Sequence, residues 1–238
     1  VLGIVLAVGL PAIDTAQDDE AMVVAEYNIQ QLEEAAKSST GTDTGKTLEQ
    51  TIPPGEYSHQ DDGTQLIFAK GGDNQTTIRS ASIQYRGSGG EILSYDYGLM
   101  ATMNDRSVDF KGLPDTSPEI TTESIYRPDG TAPETISWEL FAMDVDRPGD
   151  RSTNQGQSIE YFVSPREPGS SYTTLTSEPD TPVEIRARTD NRDMWAAYFE
   201  LHPAFEGVTR TDEAIVAEVT AETTLSLTVY HLDVQIRE

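Results

Sequence analysis

Cysteine is absent from the 238 residues. Disulfides and thiolate chemistry are thereby excluded, and a Cys–His catalytic pair cannot be built. Lysine is nearly absent: Lys37, Lys46, Lys70 and Lys111 stand beside twelve arginines. Basic charge as a whole is scarce, with 16 Lys and Arg against 41 Asp and Glu and a formal net charge of −25. Such a field repels polyphosphates, which argues against nucleic acid as a partner. The three histidines, His59, His202 and His231, fall in no HExxH or other metal-ligand spacing, and no GxSxG nucleophile elbow occurs. The apolar opening, Val1 to Ile13, would make a helix of about 20 Å, short of a bilayer core about 30 Å thick.

What the chain has in excess is acid, spread along its length rather than gathered in a tail. It also carries 27 threonines. An acidic, lysine-poor, threonine-rich composition is that of proteins working in near-saturated salt. At about 1 M salt the Debye length is roughly 3 Å, so crowded carboxylates barely repel one another. In dilute buffer the same surface strains the fold by self-repulsion. With so many acids, a pair of carboxylates close in sequence says nothing about acid–base catalysis.

The opening VLGIVLAVGLPAI carries no charge. It lacks the basic region and the small-residue cleavage site of a complete secretory signal. Gly9 and Pro11 are expected to kink a helix there rather than end it, because helical periodicity resumes beyond them. Met22, Ala25, Ile29, Leu32 and Ala36 recur at spacings of 3, 4, 3 and 4, one stripe of an amphipathic helix. Glu33 and Lys37 make a favourably oriented i,i+4 pair on it. That stripe suits packing against the protein's own domain. Val1 to Ile13 are apolar all round, which calls for burial on every side, in lipid or among copies of the chain.

SSTGTDTGKT (38–47) reads as a linker. It imitates a phosphate-binding loop, but Gly41 to Lys46 has one intervening residue too few, follows a helix and places Asp43 where phosphates would sit. Beyond it the pattern becomes short strands between turn signals, the mark of an antiparallel β domain. TQLIFAK (64–70), TTIRSASIQYR (76–86) and EILSYDYGLM (91–100) are expected strands, with Arg86 to Gly90 as a hairpin connection and Arg127 to Gly130 as a turn. ETISWELFAMDV (134–145) sets Ile136, Trp138 and Leu140 on one face and Phe141, Met143 and Val145 on the other, as for a central strand covered on both sides. In LSLTVYHLDVQI the alternation changes phase between Val229 and Tyr230, which predicts a β-bulge and turns His231 to solvent beside Asp233 and Gln235. RDMWAAYFELHP (192–203) predicts a short helix stopped by Pro203, with Met194, Trp195, Tyr198, Phe199 and Leu201 clustered.

Two local signals point to modification or metal. Asp144, Asp146 and Asp150 partly echo a calcium loop, but the third acid is shifted and no bidentate Glu follows in register, so a polar loop is the better reading. Asn74-Gln75-Thr76 is a glycosylation sequon behind an expected exposed turn, which makes Asn74 a candidate acceptor if the chain is exported. No cofactor is expected.

A terminal apolar helix running into QDDEAMVVAEYNIQQLEEAA, followed by a β-rich head, resembles archaeal type IV pilin-like proteins, especially those of haloarchaea. The aromatic-rich RTDNRDMWAAYFELHPAFEGV before the last strands is similar to a feature of their surface proteins. The resemblance implies a leader cut just before the apolar helix, which accounts for a chain that does not start with Met. It also implies helices that leave the membrane and bundle as a filament core with the heads outside. The apolar stretch is shorter than in the family, which puts the mature terminus a few residues upstream. Val5 stands where bacterial pilins carry glutamate.

The expected fold is thus α+β: a long N-terminal helix (1–37), a linker (38–47), and an antiparallel, sandwich-like β head with one late helix (48–238). The expected function is that of a structural subunit of an extracellular pilus-like filament, not an enzyme. Val1, Leu2, Ile4, Val5, Leu6, Val8, Leu10 and Ile13 would form the filament core; Met22, Ala25, Ile29, Leu32 and Ala36 would dock the head. Its partners would be copies of itself, the membrane before assembly, and surfaces or cells touched by the head. The alternative is a membrane-anchored surface protein that never polymerises and carries an adhesive or ligand-binding head. The composition makes a first prediction. The thermal midpoint should fall steeply as salt drops from molar to about 0.1 M; a midpoint flat across that range removes the salt argument.

Overall fold

The computed structural model describes residues 2–40, 44–104, 106–111, 119–121, 135–146, 149–153, 158–202 and 204–237. Side chains are described for all of these except 2–18, 61, 62, 119–121, 149–153, 167 and 168. The chain begins with helix α1 (Leu2–Ser39) and then runs as strands: β1 (Lys46–Thr51), β2 (Gly55–Lys70), β3 (Asp73–Arg86), β4 (Ile92–Asp96), β5 (Leu99–Asn104), β6 (Ser107–Phe110) and β7 (Glu119–Thr121). β8 (Thr135–Val145), β9 (Gly149–Thr153), β10 (Ser158–Thr176) and β11 (Val183–Thr189) follow. After helix α2 (Arg192–Leu201) come β12 (Phe205–Arg210), β13 (Ile215–Val219) and β14 (Thr224–Arg237). They form two curled sheets, of order β1-β10-β14-β8-β7 and β12-β13-β11-β2-β3-β4-β5-β6, with β9 also paired to β2.

The expectation of an α+β fold, a long helix followed by an antiparallel head, is overturned. The described structure is mostly β, and the part of the N-terminal helix whose side chains are described, residues 19–39, is built into the body. The physical reason is that this part is a wall of a core, not a stalk beside one. Ala21, Ala25, Ile29, Leu32, Ala35 and Ala36 are buried against Tyr57, Tyr85, Tyr95 and Tyr161 of the strands. The sheets are not purely antiparallel either, since β8 and β14 run parallel in unbroken register from Thr135↔Thr224 to Val145↔Val234.

The alternation in β8 explains why there are two cores. Ile136, Trp138 and Leu140 point to one side and join Leu66, Phe68, Trp195 and Phe199. Phe141, Met143 and Val145 point to the other side and join the core that α1 closes. β14 does the same beside it: Leu225, Leu227 and Val229 enter the first core, Leu232, Val234 and Ile236 the second. The phase change at Val229 is therefore not a bulge in β14. A straight strand that passes from one core to another on its opposite face produces the same pattern, because side chains alternate with period 2. The irregularity lies in β10, where 166–169 face the single residue His231.

Turn chemistry sets the registers. Gly71 and Gly72 join β2 to β3 with φ of 59° and 88°, the conformation of the tight hairpin turn that only glycine and a few polar residues adopt readily. EILSYDYGLM, expected to be one strand, is a hairpin: Tyr97 and Gly98 turn at φ 54° and 95° between β4 and β5. Tyr97 holds this disfavoured conformation while fully buried, its hydroxyl donating to the Thr64 carbonyl at 3.2 Å. The turn expected at Arg127–Gly130 lies outside the described residues. α2 forms as expected over most of its span, but Leu201 faces outward, 72% exposed, and Pro203 lies outside the described residues.

Small residues let α1 lie close to the strands, and two amides fasten it. Asn28 Nδ2 donates to the Thr51 carbonyl at 3.0 Å, and Gln50 Nε2 donates to the Asn28 carbonyl at 2.6 Å. Ala25 has no exposed surface, so Ala25→Leu should overpack this contact and cost about 1–3 kcal/mol. Chemical denaturation measures the loss; an unchanged midpoint would mean that α1 is not held as described.

Candidate functional site

The docked part of α1 leaves a second face uncovered. At 100° per residue, Val23 and Tyr27 lie about 160° around the helix from Ala25, one on either side of the opposite pole. They are 65% and 58% exposed, two of the four large apolar side chains described as exposed. Asp19, Glu20, Gln30 and Glu34 share that outward side. Along the inward face, Ala25, Ile29, Leu32 and Ala36 are buried and Met22 is partly buried beside them. Glu33 and Lys37 pair at 2.9 Å. The residues assigned to a filament core, Val1, Leu2, Ile4, Val5, Leu6, Val8, Leu10 and Ile13, lie outside the residues whose side chains are described. Among the described residues, no helix is long and apolar enough to cross a membrane.

A buried carboxylate is the other chemically distinctive group, and nothing in the sequence marked it. Asp96 ends β4 with no exposed surface. Its Oδ2 accepts from Trp195 Nε1 of α2 at 2.9 Å and from Thr64 Oγ1 of β2. Thr64 Oγ1 in turn lies 2.6 Å from Thr189 Oγ1, which accepts the Asn191 backbone N–H at 2.9 Å. This chain of bonds ties β2, β4 and β11 to the start of α2, and such chains strengthen one another in a low-dielectric interior. Burial pushes the Asp96 carboxyl up to about 7, against the pull of Thr64, Trp195 and Asn191 toward the charged form. Its Oδ1 has no hydrogen-bond partner among the described residues. Enclosed on all sides, Asp96 acts as a pin between sheet and helix rather than as an open acid or base.

The remaining expected residues are scattered. His59 is buried, its Nε2 3.1 Å from Tyr161 Oη. His202 ends α2 and accepts the Ala204 N–H at Nδ1. His231 is partly covered, with Nε2 3.2 Å from Ser171 Oγ, and burial together with Arg166 lowers its pKa. Of the calcium-like acids, Asp144 pairs with Arg166 at 2.5 Å and Asp146 accepts the Ile236 N–H at 2.9 Å. No group of three or more ligating side chains comes together among the described residues. Asn74 is exposed at the start of β3, two residues past the Gly71–Gly72 turn.

Comparison of the chain with known protein families, curated proteins and solved structures finds no match.

The buried carboxyl has a pH consequence. Its pKa is higher in the folded chain than the ordinary carboxylate value, so the folded state holds the proton more tightly. On this group's account, stability is greatest below about pH 4 and is lost as pH rises toward 7. Asp96→Asn keeps an acceptor for Thr64 and Trp195 and cannot ionise. Compared in molar salt, it should match the parent near pH 4 and exceed it at pH 8. The gain should reach a few kcal/mol, since each tenfold difference in proton affinity between folded and unfolded chain is worth about 1.4 kcal/mol. A less stable variant at pH 8 contradicts the assignment.

Proposed function

We propose that the chain is a structural subunit of an extracellular, pilus-like filament, assembled through its apolar N-terminal residues. The observation that carries this reading is the division of labour on α1. One face is consumed by the subunit's own core, while Val23 and Tyr27 stand exposed on the opposite face, and the sequence from Val1 to Ile13 carries no charge at all. The pair is flanked by Asp19, Glu20 and Glu34, so two copies meeting through Val23 and Tyr27 would need the screening of high salt. The alanine-lined contact and the Asn28–Gln50 bonds would transmit load from such a core to the β body. The acidic exterior suits export into high salt, where screening removes the repulsion between neighbouring subunits. The exposed Asn74 offers a glycan site on the outside of the assembly.

Substitution at the N-terminal segment tests the reading. A carboxylate at Val5 has no partner there, and burying an unpaired charge costs several kcal/mol or forces protonation. Repeated at every subunit, that cost should abolish filaments in sheared surface fractions while the circular dichroism of the β body stays unchanged. A membrane anchor would tolerate the same change better, since a charge in a spanning helix costs at most about 2.5–3.5 kcal/mol on insertion scales and can snorkel. Normal filament yield from Val5→Asp contradicts assembly through this segment.

A further inference from the structure

Two clefts of about 250 and 230 Å³ open on the body, and both are lined by Arg79. The smaller is lined by Thr64, Gln65, Arg79 and Arg188, so its charged lining among the described residues is two arginines and no carboxylate. In a chain where acids outnumber bases 41 to 16, two arginines beside one another on a sheet face stand apart from the general run of the sequence.

Strand pairing fixes where the two arginines stand. Gln65 of β2 is opposite Arg79 of β3 on one side and opposite Arg188 of β11 on the other. Residues directly opposite in a ladder share a face, and neighbouring strands lie about 4.8 Å apart. The arginine backbones therefore flank Gln65 across roughly 10 Å of one sheet face, a span that two guanidinium groups can close upon one oxyanion. Beyond the backbone pairing of its strand, the Arg79 side chain has no hydrogen bond or ion pair with any described residue. Arg188 approaches only Glu213, at 3.5 Å, and that carboxylate is 81% exposed. Two like charges held this way repel until an anion sits between them. The larger cleft continues from Arg79 past His231 to Arg166, whose charge is already shared by Asp144 at 2.5 Å and Asp233 at 3.8 Å. In the smaller cleft Arg79 has no such partner and Arg188 pairs only with the exposed Glu213, so less of its positive charge is already shared.

We propose that the cleft between Arg79 and Arg188, floored by Gln65, is a binding site for a carboxylate group. Paired guanidinium forks match a planar carboxylate in bidentate geometry, and the Gln65 amide can donate a further hydrogen bond. The carboxylate comes either from a free small acid or from an acidic side chain of a second copy of the chain, and the two sources are separable. This inference stands independently of the filament reading.

The test uses the full chain with succinate as probe, at constant molar ionic strength. The side-chain Nε–H resonances of Arg79 and Arg188 should shift saturably as chloride is replaced by succinate. Arg79→Gln/Arg188→Gln should weaken that binding at least tenfold, while Arg106→Gln, on the distant β5–β6 turn, should leave it unchanged. Both arginines are exposed, so the double variant should fold normally, as circular dichroism can check. Sedimentation velocity then assigns the source. Concentration-dependent self-association that succinate and the double variant both abolish identifies a second copy; a chain that stays monomeric yet binds succinate identifies a free acid. Absence of saturable shifts, or equal binding by parent and double variant, overturns the proposal.

Discussion

Two strands that change allegiance halfway hold this structure together. Over their first halves β8 and β14 present Ile136, Trp138, Leu140, Leu225, Leu227 and Val229 to one core; over their second halves they present Phe141, Met143, Val145, Leu232, Val234 and Ile236 to the other. Because alternate side chains point to opposite faces, the sheet that contains them must be covered on one side at one end and on the other side at the other end. Everything else supplies those covers. α2 and the strands β11 to β13 close the first core around Trp138, which sits 6.1 Å from Tyr198 and 5.7 Å from Phe205. The 19–39 part of α1 closes the second.

This arrangement makes the N-terminal helix a component of the fold rather than an appendage. Its alanines permit close approach, its one buried asparagine is bonded to β1, and its outward face is left free. A filament subunit needs such a junction, because force on an assembling segment must reach the body without peeling the helix away. At the opposite core the Asp96 pin serves a similar end, bonding the first turns of α2 to β2 through Trp195 and Thr64. Its carboxyl is held toward the neutral form by burial, against the pull of these same donors toward the charged form.

Much of this was legible in the residues. The 3-4-3-4 stripe of α1, the aromatic run of α2 and the two-faced alternation of β8 each follow from periodicity, and each element occupies that place. Periodicity alone could not tell a bulge from a strand shared by two cores, since both invert the alternation, and β14 is the strand where the two differ. The Tyr97–Gly98 hairpin was hidden because tyrosine is an unusual residue at positive φ and is held there only by its buried surroundings. The α+β expectation overweighted the opening segment, whose uniform hydrophobicity is conspicuous in sequence while most of the described fold is strand. Asp96 was indistinguishable among 41 acids, because its character comes from burial and not from spacing. Arg79 and Arg188 become a pair only through Gln65, a relation set by strand order that no local pattern records.

In the filament proposed above, copies of this chain assemble through their apolar N-terminal residues with the β bodies outside. Electron microscopy of material sheared from the surface of cells producing the protein tests it most directly. The expected result is filaments with a helical repeat, a core of packed segments from Val1 to Ile13, and bodies arrayed on the exterior with Val23 and Tyr27 turned toward neighbouring subunits. Sheared material that contains the protein only as dispersed monomers, or filaments whose bodies touch while the N-terminal segments lie apart, would contradict it.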